Sequence, residues 1–381
     1  MLSQEVIERL SERLVNRVNE LNVYILEKIG KQLREMGSLT PSQLRTIFQS
    51  VKYGNDINDI ANKLAEVTNK NVKDIYEIFE ETAKANQEYA KQYYKYKKIK
   101  YIPYDENALL QNQVKALANI TVNIYLNFSR TTVMTMSDIN GLPVDLGIQE
   151  AYKKAIDKAI IGASQGRESY SQTIRQTMKE LANSGVKTVN YEIGFRRRLD
   201  SAVRMNIMDG IRSVNRELQT QFGKEFGADG VEVSHHKNSA KDHEHTVDGK
   251  QFGNDEYKVI NDSLDRQVGT LNCYHFIYPI VLGVSKPNFT KEELEEDRKR
   301  NEKGFEFEEQ HYTMYEGTQL QRRIETAIRR KKEEHIAMKS INDKEEMAKA
   351  KKNISMLTSK YNGLSKISGL PKKIDRLVIR H

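Results

Sequence analysis

Tryptophan is absent from this 381-residue chain, cysteine occurs once and proline six times. With Cys273 as the only thiol no intrachain disulfide can form, which suits a reducing compartment and leaves packing to hold the fold. No run approaches the roughly 18 apolar residues of a membrane span. The start, Met1-Leu2-Ser3-Gln4-Glu5, lacks the hydrophobic stretch of a signal peptide, so a cytoplasmic product with no membrane partner is expected. Apolar residues are also scarce, at 38% against 30% charged, and the mean hydropathy is −0.70. Such a chain buries modest cores and shows much charged helix surface, or completes its burial against partners. The net charge of +8 is too small for a dedicated nucleic-acid packer, yet fits work beside DNA or an acidic partner. Walker and Gly-x-Gly motifs are missing, which removes the commonest phosphate-loop signatures.

What is present is mostly helical periodicity. Val6, Leu10, Leu14, Val18, Leu21, Ile25 and Ile29 recur at spacings of three and four, the stripe of a long amphipathic helix ended by Gly37. Thr40-Pro41-Ser42-Gln43 reads as a helix restart, with Thr40 as N-cap and Pro41 in the first turn. Further helices are expected over Val72–Ala90, from Asp105 through Ile124, over Ala151–Ala163 and Ser171–Ala182, and from Arg196 to Phe222. Tyr93 to Tyr101 alternates tyrosine with lysine, either a base-stacking surface or a helix end passing into a solvated linker. Gly230-Val231-Glu232-Val233-Ser234 alternates as a strand does, and residues 228–287 are expected to hold the only β-structure. After Pro287 a narrow stripe of Leu320, Ile324 and Ile328 predicts a charged helix with little core of its own. The reading is a mainly α, elongated protein with a small α+β module and a charged helical C-terminal tail. It divides into helical regions at 1–104 and 105–227, a His/Cys-containing module at 228–290 and the tail at 291–381.

Five of the eight histidines and the only cysteine fall between positions 235 and 275. Zinc takes about four nitrogen, sulfur or oxygen ligands, and His236, His243, Cys273 and His275 supply a set of the right type. The spacing is not that of a standard zinc finger. A metal-free polar knot, in which Cys273 is a small buried hydrophobe, is the open alternative. Asp242-His243-Glu244-His245 beside Asn272 and His275 also suggests a metal-dependent nuclease or processing enzyme centred on His236, His243 and His275. No general base, carboxylate ligand set or substrate cleft can be assigned for it. Two basic runs, Arg196-Arg197-Arg198 and Arg329-Arg330-Lys331-Lys332, are candidate contacts to DNA phosphate or to a partner, although such arginines are more often solvated or paired within the chain.

An ordered set of short segments runs through residues 145–335. It begins with Tyr191-x-x-Gly194 and Arg197-Arg198-Leu199-Asp200-Ser201-Ala202-Val203-Arg204-x-Asn206, followed by His236, Asp242-His243-Glu244 and Gly249-Lys250-Gln251-Phe252. Asn272-Cys273-x-His275, Pro279 and Gly283-x-Ser285-x-Pro287 come next, then Tyr315-x-x-Thr318-Gln319-x-Gln321-Arg322-x-x-Glu325 and Ile328-Arg329. In this order the segments resemble the phage minor capsid proteins of the second type, kin to the Mu F-like head-morphogenesis proteins. The chain departs from them at Ala240 and Val247, with one extra residue before Gly249. The resemblance implies a non-enzymatic protein present in few copies in the head of a tailed bacteriophage. It also implies the portal protein and the major capsid protein as partners, with packaged double-stranded DNA nearby and a homo-oligomer as one arrangement in the virion. Assembly would take place in the host cytoplasm.

Overall fold

The computed structural model describes residues 4–37, 43, 51–138, 140–164, 167–190, 194–270 and 273–379. Among them run eleven α-helices: α1 (Gln4–Met36), α2 (Val51–Lys97), α3 (Ala108–Arg130), α4 (Ile148–Ser164), α5 (Arg167–Ser184), α6 (Leu199–Phe226), α7 (Lys241–Thr246), α8 (Asn254–Ser263), α9 (Lys291–Lys303), α10 (Met314–Ser340) and α11 (Lys344–Ser368). The protein is mainly α, as the periodicity predicts. The restart expected at Thr40-Pro41-Ser42 lies outside the described residues, as do Tyr191 and Asn272.

The stripe on α1 is a core face: Leu14, Val18, Leu21, Ile25 and Ile29 are buried. They join one hydrophobic cluster to which α2 to α6 and the end of α10 also contribute. The helix expected over Val72–Ala90 is the middle of the much longer α2. At its end Tyr94 packs edge-on against Phe222, Phe226 and Tyr101, so these two tyrosines of the Tyr/Lys segment close a helix junction. Helix α6 threads the cluster with sixteen buried residues. A Cβ at Gly210 would stand 2.4 Å from the Thr121 hydroxyl and 2.6 Å from the Phe79 ring, so glycine lets α2 and α3 close on this helix.

Two expectations are corrected. First, β-structure is not confined to 228–287. Strands β1 (Thr132–Ser137), β2 (Pro143–Gly147), β3 (Lys187–Asn190) and β4 (Phe195–Arg198) form an antiparallel sheet in the order β2-β1-β3-β4. Strands β5 (Gly230–Val233), β6 (Gln251–Gly253) and β7 (Ile277–Ile280) form the expected one, ordered β6-β5-β7, and β8 (Phe305–Phe307) pairs with β9 (Gln310–Tyr312). The first sheet hides in the sequence because its strands are four to six residues long and flanked by helical patterns. Arg196-Arg197-Arg198 belongs to β4, and α6 begins only at Leu199.

Second, the C-terminal helix does have a core. Ile324, Ile328, Ile336, Ala337 and Met338 are buried. Full burial of an isoleucine stabilises by about 1.5–3 kcal/mol. Helix α10 packs on α11, α5 and α1. A Cβ at Gly30 of α1 would collide with Ser340 of α10, so these two helices touch where glycine leaves room. The sequence stripe looks narrow because much of the buried face is charged. Glu333 is 0% exposed and receives a 2.5 Å hydrogen bond from Arg198, whose Nε also lies 3.4 Å from Asp200. Arg329 reaches Asp200 at 3.5 Å from the other side. Burial opposes the Arg198 charge, but Asp200 and Glu333 outweigh it and keep the guanidinium protonated.

Removing Arg198 leaves Glu333 buried without its hydrogen-bonded counter-charge, while Asp200 keeps Arg329. Arg198→Leu is expected to cost roughly 3–5 kcal/mol in urea unfolding. A loss below about 1 kcal/mol would contradict the burial described here.

Candidate functional site

The histidines converge where β5 ends, α7 turns and the 273–276 loop enters β7. Strand β5 delivers His235 and His236, the short α7 carries His243, and the loop carries Cys273 and His275. Gly249, at φ +70°, makes the turn that brings Asp248 back under β5. The Asp248 carboxylate is the hub. Oδ2 lies 2.7 Å from His235 Nδ1, while Oδ1 lies 2.8 Å from His275 Nε2 and accepts the His236 backbone N–H at 2.8 Å. His235 Nε2 continues to Asp297 on α9 at 2.8 Å.

On the far side of His275 three side chains meet. His275 Nδ1 is 3.3 Å from His243 Nδ1 and 3.3 Å from Cys273 Sγ, and Sγ is 3.5 Å from His243 Nδ1. His243 Nε2 is held at 2.5 Å by the Arg266 carbonyl. His243, Cys273 and His275 are all buried and have the right atoms close enough to hold a metal ion. His236, the fourth ligand expected from the sequence, stands apart. Its ring packs on Tyr274 at 5.0 Å and its centroid is 5.9 Å from that of His275. His245 is also outside, 3.9 Å from Glu302.

The electrostatics follow from burial against these contacts. Burial alone would raise the Cys273 thiol, but His243 and His275 reverse this and hold it at about 5. Burial would likewise neutralise His275, yet Asp248 and Cys273 lift it to about 9. Asp248 is pulled down to about 2 because His235 and His275 outweigh its desolvation. His236 lacks such a partner, and burial pushes it down to about 4.

A cavity of about 320 Å³ adjoins the cluster, lined among others by His236, Ser239, Cys273, His275, Arg322 and Arg376. Tyr274 fixes the module to the helical body. Its hydroxyl accepts from Arg322 at 2.5 Å, and the Arg212 and Arg322 guanidinium groups lie 5.3 and 5.5 Å from its ring centroid. Asn301 of α9 adds a second tie by donating to Glu244 at 2.8 Å and accepting the Tyr315 N–H at 2.9 Å.

The basic runs split between interior and surface. Arg198 and Arg329 are turned inward, and Arg329 also donates to the Arg376 carbonyl at 2.9 Å. Lys331 pairs with Glu334 at 2.5 Å and Lys332 donates to the Leu377 carbonyl at 2.6 Å. Arg196 pairs with Asp145 at the surface, and Arg197 lies over Phe195 at 5.1 Å. Arg330 joins Arg322, Arg323 and Lys331 along an open groove of about 660 Å³, with no acidic residue among the described residues that line it.

Sequence reasoning missed Asp248, Asp297, Asn301 and the Arg266 carbonyl. Only Asp248 carried a signal, an Asp-Gly turn five residues beyond His243. Asp248→Ala removes three buried hydrogen bonds at once. It is expected to lower stability by roughly 2–4 kcal/mol in thermal or urea unfolding, and a loss under about 0.5 kcal/mol would contradict the hub.

No curated protein and no solved structure matches the chain. The profile of the phage minor capsid protein 2 family matches residues 2–364, from the first turn of α1 through most of α11. The helical body, the histidine module and the two C-terminal helices thus fall within one match, and the chain belongs to the phage minor capsid protein 2 family.

Proposed function

We propose that this protein is a non-enzymatic component of the phage head that seats at the portal–capsid region, with its basic groove turned toward packaged DNA. The observation that carries this reading is the family match along residues 2–364, which spans nearly the whole chain. The histidine cluster supports it. Both Asp248 oxygens are engaged by His235, His275 and the His236 amide, so the carboxylate nearest the histidines is not free to act as a base. Among the described residues no helix is long and apolar enough to cross a membrane.

The groove of Arg322, Arg323, Arg330 and Lys331 supports the DNA side of the proposal. Of these cations Lys331 is paired with Glu334, while Arg322, Arg323 and Arg330 add positive charge that favours a polyanion, and such binding weakens steeply with salt. The portal and the major capsid protein are the protein partners this reading names, assembly takes place in the host cytoplasm, and the protein stays in the finished virion.

Mass spectrometry of purified phage particles is expected to find the chain in few copies and cross-linked to portal. Its absence from particles would overturn the proposal, as would DNA cleavage that chelator stops and His243→Ala abolishes. Charge reversal at Arg323 and Arg330 together is expected to weaken duplex binding by about tenfold or more at low salt. Unchanged binding would remove the groove from the DNA contact.

A further inference from the structure

We propose that His243, Cys273 and His275 form a mononuclear zinc site that knots the β-containing module. The spacing of the three donor atoms carries the inference. An ion with Zn–N bonds of about 2.0–2.1 Å and a Zn–S bond of about 2.3 Å at tetrahedral angles sets nitrogens about 3.3 Å apart and nitrogen and sulfur about 3.5 Å apart. The structure has 3.3 Å between the two Nδ1 atoms, and 3.3 and 3.5 Å from them to Sγ. Three atoms from α7 and the 273–276 loop therefore already outline one face of a zinc tetrahedron.

The outer hydrogen bonds point the same way. His243 Nε2 faces the Arg266 carbonyl and His275 Nε2 faces the Asp248 carboxylate, so each Nε2 carries the proton as donor. A neutral imidazole protonated at Nε2 presents a bare lone pair at Nδ1. Two such lone pairs and a sulfur converge on one point, and the thiol brings a single proton to share among them. A cation satisfies all three. Acceptors behind both imidazoles are the arrangement that orients histidine toward a metal and raises its basicity. The donor set, one thiolate and two imidazoles, suits zinc and disfavours magnesium or calcium. Cys273 and His275 also line the adjoining cavity, which leaves room for a water as fourth ligand.

The consequence is mechanical. Tyr274 lies between two of the ligands in sequence and docks between Arg212 and Arg322. An ion holding its neighbours would fix the loop that attaches the module to α6 and α10. Whether the protein works in a phage head is a separate matter, and failure of this site would leave the family membership intact.

The test uses the full-length, untagged chain, analysed for metal as purified and then titrated with cobalt(II) after chelator treatment. About one zinc per chain is expected, with a tetrahedral cobalt spectrum that includes a sulfur-to-cobalt charge-transfer band. Chelator should also lower the thermal midpoint, and zinc should restore it. Cys273→Ser, close in size and compatible with the Asp248 hub, should lose the charge-transfer band and bind zinc at least about tenfold more weakly. Wild-type protein that binds less than a tenth of an equivalent in excess zinc would overturn the proposal, whatever the variant does. So would an octahedral cobalt spectrum, or a Cys273→Ser spectrum identical to wild type.

Discussion

The buried charge cluster of Arg198, Asp200, Arg329 and Glu333 is the constraint on which the rest of the structure depends. It joins the end of β4 and the adjoining first turn of α6 to the middle of α10, more than a hundred residues further along the chain. A guanidinium so deeply buried is tolerable only while its carboxylates stay in place, and the carboxylates only while it does. The cluster is therefore less a source of net stability than a specification: α10 can seat on the body in one register. Gly30 against Ser340 enforces the same register sterically at the far end of α10.

Everything else about the C-terminal third follows from that seating. With α10 fixed, Arg322 meets Tyr274 and clamps the loop of the histidine module, while Arg212 of α6 closes on the ring from the other side. Asp248 then organises the module internally, and His235 carries its hydrogen-bond chain on to Asp297 of α9. The module thus sits among α6, α9 and α10 through polar contacts, with Phe276 and Tyr274 adding the apolar ones. This construction suits a part that must hold its shape within an assembly. The basic groove beside Arg330 lies at the surface, while Arg198 and Arg329 are turned inward.

The legible parts of the fold were those where burial is apolar and periodic. Leu14, Val18, Leu21, Ile25 and Ile29 announced α1, and Gly230 to Val233 announced β5. The tail was misread because its inward face includes Glu325 and Glu333, which pattern reasoning assigns to solvent. Arg198 is paired within the chain, the more usual fate of such arginines, but local sequence does not show with what. Its partners lie 2 and 135 residues away, and no local pattern reveals the second. At the candidate site the crowding of histidines around Cys273 was visible, and three of the four residues chosen from it do meet. The fourth, His236, differs by one position from His235, the histidine that Asp248 engages through its side chain, and both lie past the end of β5, where no strand alternation tells their directions apart.

Native-state hydrogen exchange tests most directly whether α10 is an integral part of the core. The account predicts that amides from Ile324 to Met338 exchange only through global unfolding, in the same protection class as those from Val203 to Leu218 in α6. Exchange of the α10 amides orders of magnitude faster than those of α6 would show a separable tail, and would contradict it.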